Sequence, residues 1–71
     1  MAKVKALGNI KKVIGDLIVN DIDELISILK ENGLDTNDVV IAINNVELSL
    51  IDKKRLDTND VVTIASIIHG G

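Results

Sequence analysis

Residues 56–71 read Leu56-Asp57-Thr58-Asn59-Asp60-Val61-Val62-Thr63-Ile64-Ala65-Ser66-Ile67-Ile68-His69-Gly70-Gly71. The first five are turn formers, whose Asp and Asn side chains bond nearby backbone. Residues 61–68 are rich in β-branched side chains and read as a strand. Alternation puts Val62, Ile64 and Ser66 on one face and Val61, Thr63, Ala65 and Ile67 on the other. The first set carries large aliphatics at mid-strand and is the core candidate. A strand this apolar suits the middle of a sheet, parallel to the first strand. Gly70-Gly71 have no side chain to pack and lose the most backbone entropy when ordered. They either fray, as chain ends do, or form a thin arm that carries a carboxylate elsewhere.

Upstream, the heptapeptide LDTNDVV of residues 56–62 occurs once before, at 34–40. Two copies of seven residues are too few and too short for a repeat array. They read as one local solution used twice, a turn feeding a β-branched strand. Residues 39–43 are that earlier strand. Asn44-Asn45 turns it, and 46–48 return as a short strand. Residues 49–55 are polar and read as a loop or one helical turn. The Asp-x-Asn-Asp run lacks the glycine and the distal glutamate of a calcium loop, so the turn reading is preferred.

The helix signal is clearest at 21–32. Asn20 is the expected N-cap, with Asp23 three residues on, and Asp21, Asp23 and Glu24 suit the positive end of the helix dipole. Ile22, Leu25, Ile26 and Leu29 form one apolar stripe. Gly33 can take the left-handed conformation that ends a helix, with Leu34 as its apolar contact. At the amino end, Lys3-Val4-Lys5-Ala6-Leu7 reads as a strand. Gly8-Asn9 reads as a two-residue hairpin turn, followed by a second strand over 10–19 with a bulge or bend at Gly15-Asp16. The order is strand, strand, helix, strand, short strand, strand: an α+β two-layer design with a mixed sheet on one helix.

At 71 residues the chain has room for one domain. It has no Phe, Tyr, Trp or Cys, so aliphatics must fill the core. Disulfides, thiolate zinc sites and iron–sulfur clusters are excluded. A formal charge of −3 argues against a phosphate-binding surface, and the lack of aromatics removes any base-stacking platform. The expected partners include no nucleic acid and no membrane. With neither a signal peptide nor an apolar run of membrane-spanning length, the cytoplasm is the expected location.

The catalytic inventory is thin. His69 is the only histidine, and no cysteine stands ready for it to activate. The carboxylates sit mostly in caps and turns. The five glycines are scattered at 8, 15, 33, 70 and 71 and form no phosphate loop. No enzyme activity, bound cofactor or metal is expected. On the open sheet face, Thr63, Ala65 and Ile67 would lie beside Ala42, with His69 further along. Isolated exposed aliphatics are ordinary on protein surfaces. The functional alternative is a docking patch for a partner that also takes the tail.

Three segments together carry a resemblance: Val39-Val40-Ile41-Ala42-Ile43-Asn44-Asn45, then residues 56–64, then Ile67-Ile68-His69-Gly70-Gly71. This pattern resembles the ubiquitin-related sulfur carriers of the ThiS/MoaD type and the small archaeal ubiquitin-like modifiers. Where that family's last turn is usually Asp-Gly-Asp, this chain has Thr58-Asn59-Asp60. Asn tolerates the left-handed conformation, so the turn is still accommodated. The resemblance implies a β-grasp (ubiquitin-like) fold: four to five strands in a mixed sheet packed on one helix, over residues 1–68, with a flexible tail at 69–71. It implies a carrier acted on by an E1-like adenylating enzyme, with ATP and a sulfur source used by that enzyme. Gly71 would supply the activated, thiocarboxylated carboxyl group and Gly70 the clearance. A sulfur-accepting synthase or a target protein would follow, in thiamine, molybdopterin or tRNA thiolation. A monomer is expected when the protein is free. The alternatives are a modifier conjugated through Gly71 to target lysines, and a β-grasp interaction module whose tail is incidental.

Overall fold

The computed structural model describes residues 1–52 and 55–67. Five strands form one mixed sheet in the order β2-β1-β5-β3-β4. They are β1 (Ala2–Ala6), β2 (Leu17–Val19), β3 (Val39–Ile43), β4 (Val46–Glu47) and β5 (Val61–Ser66). The last strand is central. It runs parallel to β1, with Lys3 opposite Val61 and Ala6 opposite Ile64. It runs antiparallel to β3, with Val39 opposite Ser66 and Ile43 opposite Val62. Strands β2 and β4 close the two edges by antiparallel pairing with β1 and β3. The sequence expectation for β5, central and parallel to the first strand, is met.

One side of the sheet is dry. Ala2, Val4 and Ala6 of β1 are buried while Lys3 and Lys5 are exposed, the alternation that a half-buried strand requires. Val62 and Ile64 of β5, and Val39, Ile41 and Ile43 of β3, join them in a single aliphatic core. Helix α2 (Ile22–Glu31) lays Ile22, Leu25 and Leu29 into that core. These are the stripe positions read from the sequence, with Ile26 packed at the margin. The helix begins one residue later than expected. Asp21, not Asn20, is the N-cap, and its Oδ1 accepts from the Glu24 N–H at 2.7 Å. Glu24 reaches back to accept from the Asn20 N–H at 2.7 Å, so a capping box forms around Asp21 and Glu24. At the other end, the Leu34 N–H donates to the Leu29 carbonyl at 2.8 Å and Gly33 has φ +76°, as a left-handed stop requires.

The expected hairpin at Gly8-Asn9 and the long strand over 10–19 are not formed. Residues Gly8–Ile14 make a second helix, α1, and only Leu17–Val19 pair with β1. The sheet therefore carries two helices, not one. Ile10 is buried in the common core and Ile14 packs against it, an i, i+4 pair on one helical face. Gly15, read as a bulge, is the C-cap of α1: its N–H donates to the Lys11 carbonyl at 2.8 Å and its φ is +64°.

The two LDTNDVV copies share a backbone turn but differ in the burial of its last aspartate, exposed in Asp38 and buried in Asp60. In the first, the Asp38 N–H donates to the Asp35 carbonyl at 2.9 Å, and Asp35 Oδ1 accepts from the Asn37 N–H at 2.9 Å. In the second, the Asp60 N–H donates to the Asp57 carbonyl at 3.0 Å, but Asp60 Oδ2 accepts from the Asp57 N–H at 2.8 Å. The strands they feed enter in opposite phase. Val39 is buried and Val40 half-buried, whereas Val61 is exposed and Val62 is buried. Identical local sequence thus meets two different sheet registers, and the register decides which valine goes inside.

Candidate functional site: the carboxyl end of the central strand

Parallel pairing brings the carboxyl ends of β1 and β5 to the same end of the sheet. The Leu7 N–H donates to the Ile64 carbonyl at 2.8 Å, which ties the start of α1 to β5. On the other flank, the Ile67 N–H donates to the Asp38 carbonyl at 3.0 Å, one step past the Val39–Ser66 pair. Asp38 closes the 3-10 turn Thr36–Asp38. The root of the tail is thus held from both sides by backbone bonds. His69, Gly70 and Gly71, and the expected domain boundary after residue 68, lie outside the described residues.

The open sheet face carries the rest of the expected set. Ala42 stands opposite Thr63, and Val40 opposite Ala65. Ala42, Thr63 and Ala65 are half-buried, so these three positions form one shallow patch. Ile67 is 49% exposed and lines a groove of about 270 Å³ together with Ile26, Val39, Val40 and Leu48. That groove bounds β3 beside the tail root, so Ile67 sits at the rim of the patch and not in its middle.

The same face extends onto β2, beyond what strand alternation in β3 and β5 predicts. Ile18 of β2 stands opposite Lys3, and Lys3 opposite Val61. Ile18 is 57% and Val61 52% exposed, and with Lys3, Lys5 and Asp16 they line a second open groove. Treating 10–19 as one long strand hid which way Ile18 points.

Asn44 and Asp60 lock the entry to β5. Asn44 and Asn45 both have positive φ, +51° and +69°, and form the two-residue turn between β3 and β4. The Asn44 side chain donates from Nδ2 to Asp60 Oδ1 and accepts at Oδ1 from the Val61 N–H, both at 2.9 Å. Its backbone N–H donates to the Val61 carbonyl at 2.8 Å. Asp60, the buried polar residue among those described, accepts from both Asn44 and the Asp57 N–H. These bonds fix the start of β5, the strand that leads to Ile67. The apolar-strand-then-Asn pattern was visible in sequence; its partner Asp60 was read only as a turn residue.

Among the described residues no group of His, Cys, Asp and Glu is placed to hold a metal ion, and no helix is long and apolar enough to cross a membrane.

The sheet order, the parallel first and last strands and the helix packed across them define a β-grasp, ubiquitin-like fold. Among solved structures, the chain is similar to the X-ray crystal structure of Sulfolobus solfataricus Urm1, with a TM-score of 0.68 at 24% sequence identity. The match covers 92% of this chain and 99% of that one, so the likeness in fold runs through nearly the whole of both. No family model matches the chain, and no curated protein does.

Proposed function

We propose that the protein is a ubiquitin-like sulfur carrier that works through the carboxyl group of Gly71. The observation that carries the reading is the placement of the tail root. The central strand of a β-grasp sheet is anchored at Asp60 and Asn44 and again at Asp38, and it delivers Ile67 to the end of the sheet. Four residues remain beyond it, the last two Gly-Gly. The likeness to Urm1 supports the reading at the level of fold.

The chemistry accounts for the residue types. A free carboxylate is a poor electrophile. In this reading an E1-like enzyme joins the Gly71 carboxylate to the α-phosphate of ATP, releasing pyrophosphate and leaving an acyl-adenylate. A sulfur nucleophile at the sulfide level then attacks the carbonyl carbon and AMP leaves, which gives the thiocarboxylate. The channel around such an intermediate has to exclude water, and an arm without side chains fits it. The protein catalyses neither step. If a lysine amine attacks instead, the product is an isopeptide bond to a target protein, the modifier variant of the same activation.

The test is pyrophosphate exchange. With the organism's E1-like enzyme and ATP, the full chain is expected to drive incorporation of labelled pyrophosphate into ATP, and a chain lacking Gly70-Gly71 is not. Equal exchange with the truncated chain would remove the proposal. Lysine-linked Gly-Gly remnants on cellular proteins would favour the modifier variant.

A further inference from the structure

Charge is divided along this chain. The first fifteen residues carry Lys3, Lys5, Lys11 and Lys12 and no Asp or Glu, whereas the rest carries all eleven acidic residues against four basic ones. The fold places these four lysines on β1 and α1, with Asp16 lining the same groove as Lys3 and Lys5. Lys5 stands opposite Thr63 on β5, and α1, with exposed Lys11 and Lys12, follows directly after the Leu7–Ile64 bond. On the opposite flank of β5 lie exposed Asp35 and Asp38, the latter holding the Ile67 N–H through its carbonyl. Asp16 lies beside Lys5 and Lys30 beside Asp35, so the tail root emerges between a flank that is basic on balance and one that is acidic on balance.

The reach of the tail makes this matter. The following step rests on the carrier reading above. From Ile67 to Gly71 is four residues, which span at most about 14 Å when fully extended. An enzyme that closes on the Gly71 carboxyl group has to stand over the end of β5 and meet these flanks. A polyanion such as nucleic acid would suit the lysines but face repulsion from Asp35 and Asp38, and would find no aromatic to stack on. A protein surface can match both signs.

We propose that Lys5, Lys11 and Lys12 form a docking surface for a carboxylate-bearing face of the adenylating partner. Asp35 and Asp38 reject the inverted orientation, so the tail enters the partner's site in one sense only. Rim charges of this kind act mainly on association rate and register.

The experiment compares association of the organism's E1-like enzyme, without ATP, to the wild type, to K5Q/K11Q/K12Q and to T58E/N59E, so that both variants lower the net charge by a similar amount. The last adds negative charge in the exposed turn at the far end of β5. The lysine variant is expected to associate about tenfold more slowly or worse at low salt, with its salt dependence flattened. Its dissociation rate should stay within about twofold of wild type, and the T58E/N59E rate near wild type. Circular dichroism checks that each variant folds. Wild-type association by the lysine variant, or equal slowing by T58E/N59E, would overturn the proposal, the latter by reducing it to net charge. If the enzyme adenylates every variant at one rate, docking fails and the carrier reading stands. If it binds through the lysines but places no AMP on Gly71, docking stands and the carrier reading fails. An enzyme that does not bind the wild type refutes both.

Discussion

Replacing Asn44 with Ala should cost this protein a large share of its stability. Three losses combine. The bond from Nδ2 to Asp60 Oδ1 runs to a buried carboxylate, and a bond to a charged group contributes about 1.5–3 kcal/mol. The bond from the Val61 N–H lies nearer solvent and contributes about 1 kcal/mol. Asn44 also sits at φ +51°, where Ala pays roughly 1 kcal/mol more than Asn. With some compensation by water, the expected loss is about 3–5 kcal/mol, against a total near 4–11 kcal/mol for a chain of this length. Urea denaturation followed by circular dichroism measures it. With a slope near 1 kcal/mol/M, the midpoint should fall by about 3 M or more. Asn44→Gly removes the strain but not the lost bonds, so it should recover only about 1 kcal/mol. A midpoint for Asn44→Ala within about 0.5 M of wild type would refute the clamp. Full recovery in Asn44→Gly would show that backbone conformation alone is what Asn44 supplies.

Leu29 is fully buried under the sheet, so Leu29→Ala should destabilise by about 2–5 kcal/mol in the same titration. Asp21→Ala removes the cap of α2 and should cost about 1 kcal/mol, whereas Asn20→Ala, whose side chain is not the cap, should cost less. Gly15→Ala and Gly33→Ala would each place a Cβ in open space, so the backbone decides the outcome. Gly15 has φ +64° and ψ −159°, a region essentially reserved for glycine, and Ala there should cost about 1–3 kcal/mol. Gly33 ends α2 in the ordinary left-handed manner, and about 1 kcal/mol is expected. Equal thermal midpoints for those two variants would count against the assignment of Gly15 as the α1 cap.

The parts of the fold that were legible in sequence are those where one periodicity dominates. In β5, β3 and α2 the spacing of aliphatics matches a single buried face, and the turn chemistry at Asn44, Gly33 and Asp57–Asp60 agrees with it. Helix α1 was not legible for identifiable reasons. It is seven residues long and buries only Ile10 fully, so its apolar spacing is too short to separate from strand alternation. Its N-cap is Leu7, which makes no side-chain capping bond, and Gly8-Asn9 imitates a hairpin turn. The available signal was at the other end, where Lys11 and Lys12 precede Gly15. At the candidate site, Ala42, Thr63 and Ala65 were legible from strand alternation. The neighbourhood of Ile18, Val61 and Lys5 was not, because it depends on a register that only the paired sheet defines. The burial of Asp60 was hidden as well: its heptapeptide twin places Asp38 in solvent, so local sequence could not distinguish them.

In the proposed carrier the reactive group is the carboxyl group of Gly71. Intact mass spectrometry after incubation with the organism's E1-like enzyme, ATP and sulfide tests it most directly. The expected result is the mass gain of one oxygen-to-sulfur exchange, localised by fragmentation to Gly71 and absent from a chain lacking Gly70-Gly71. An unchanged mass, with no adenylate trapped when sulfide is withheld, would contradict it.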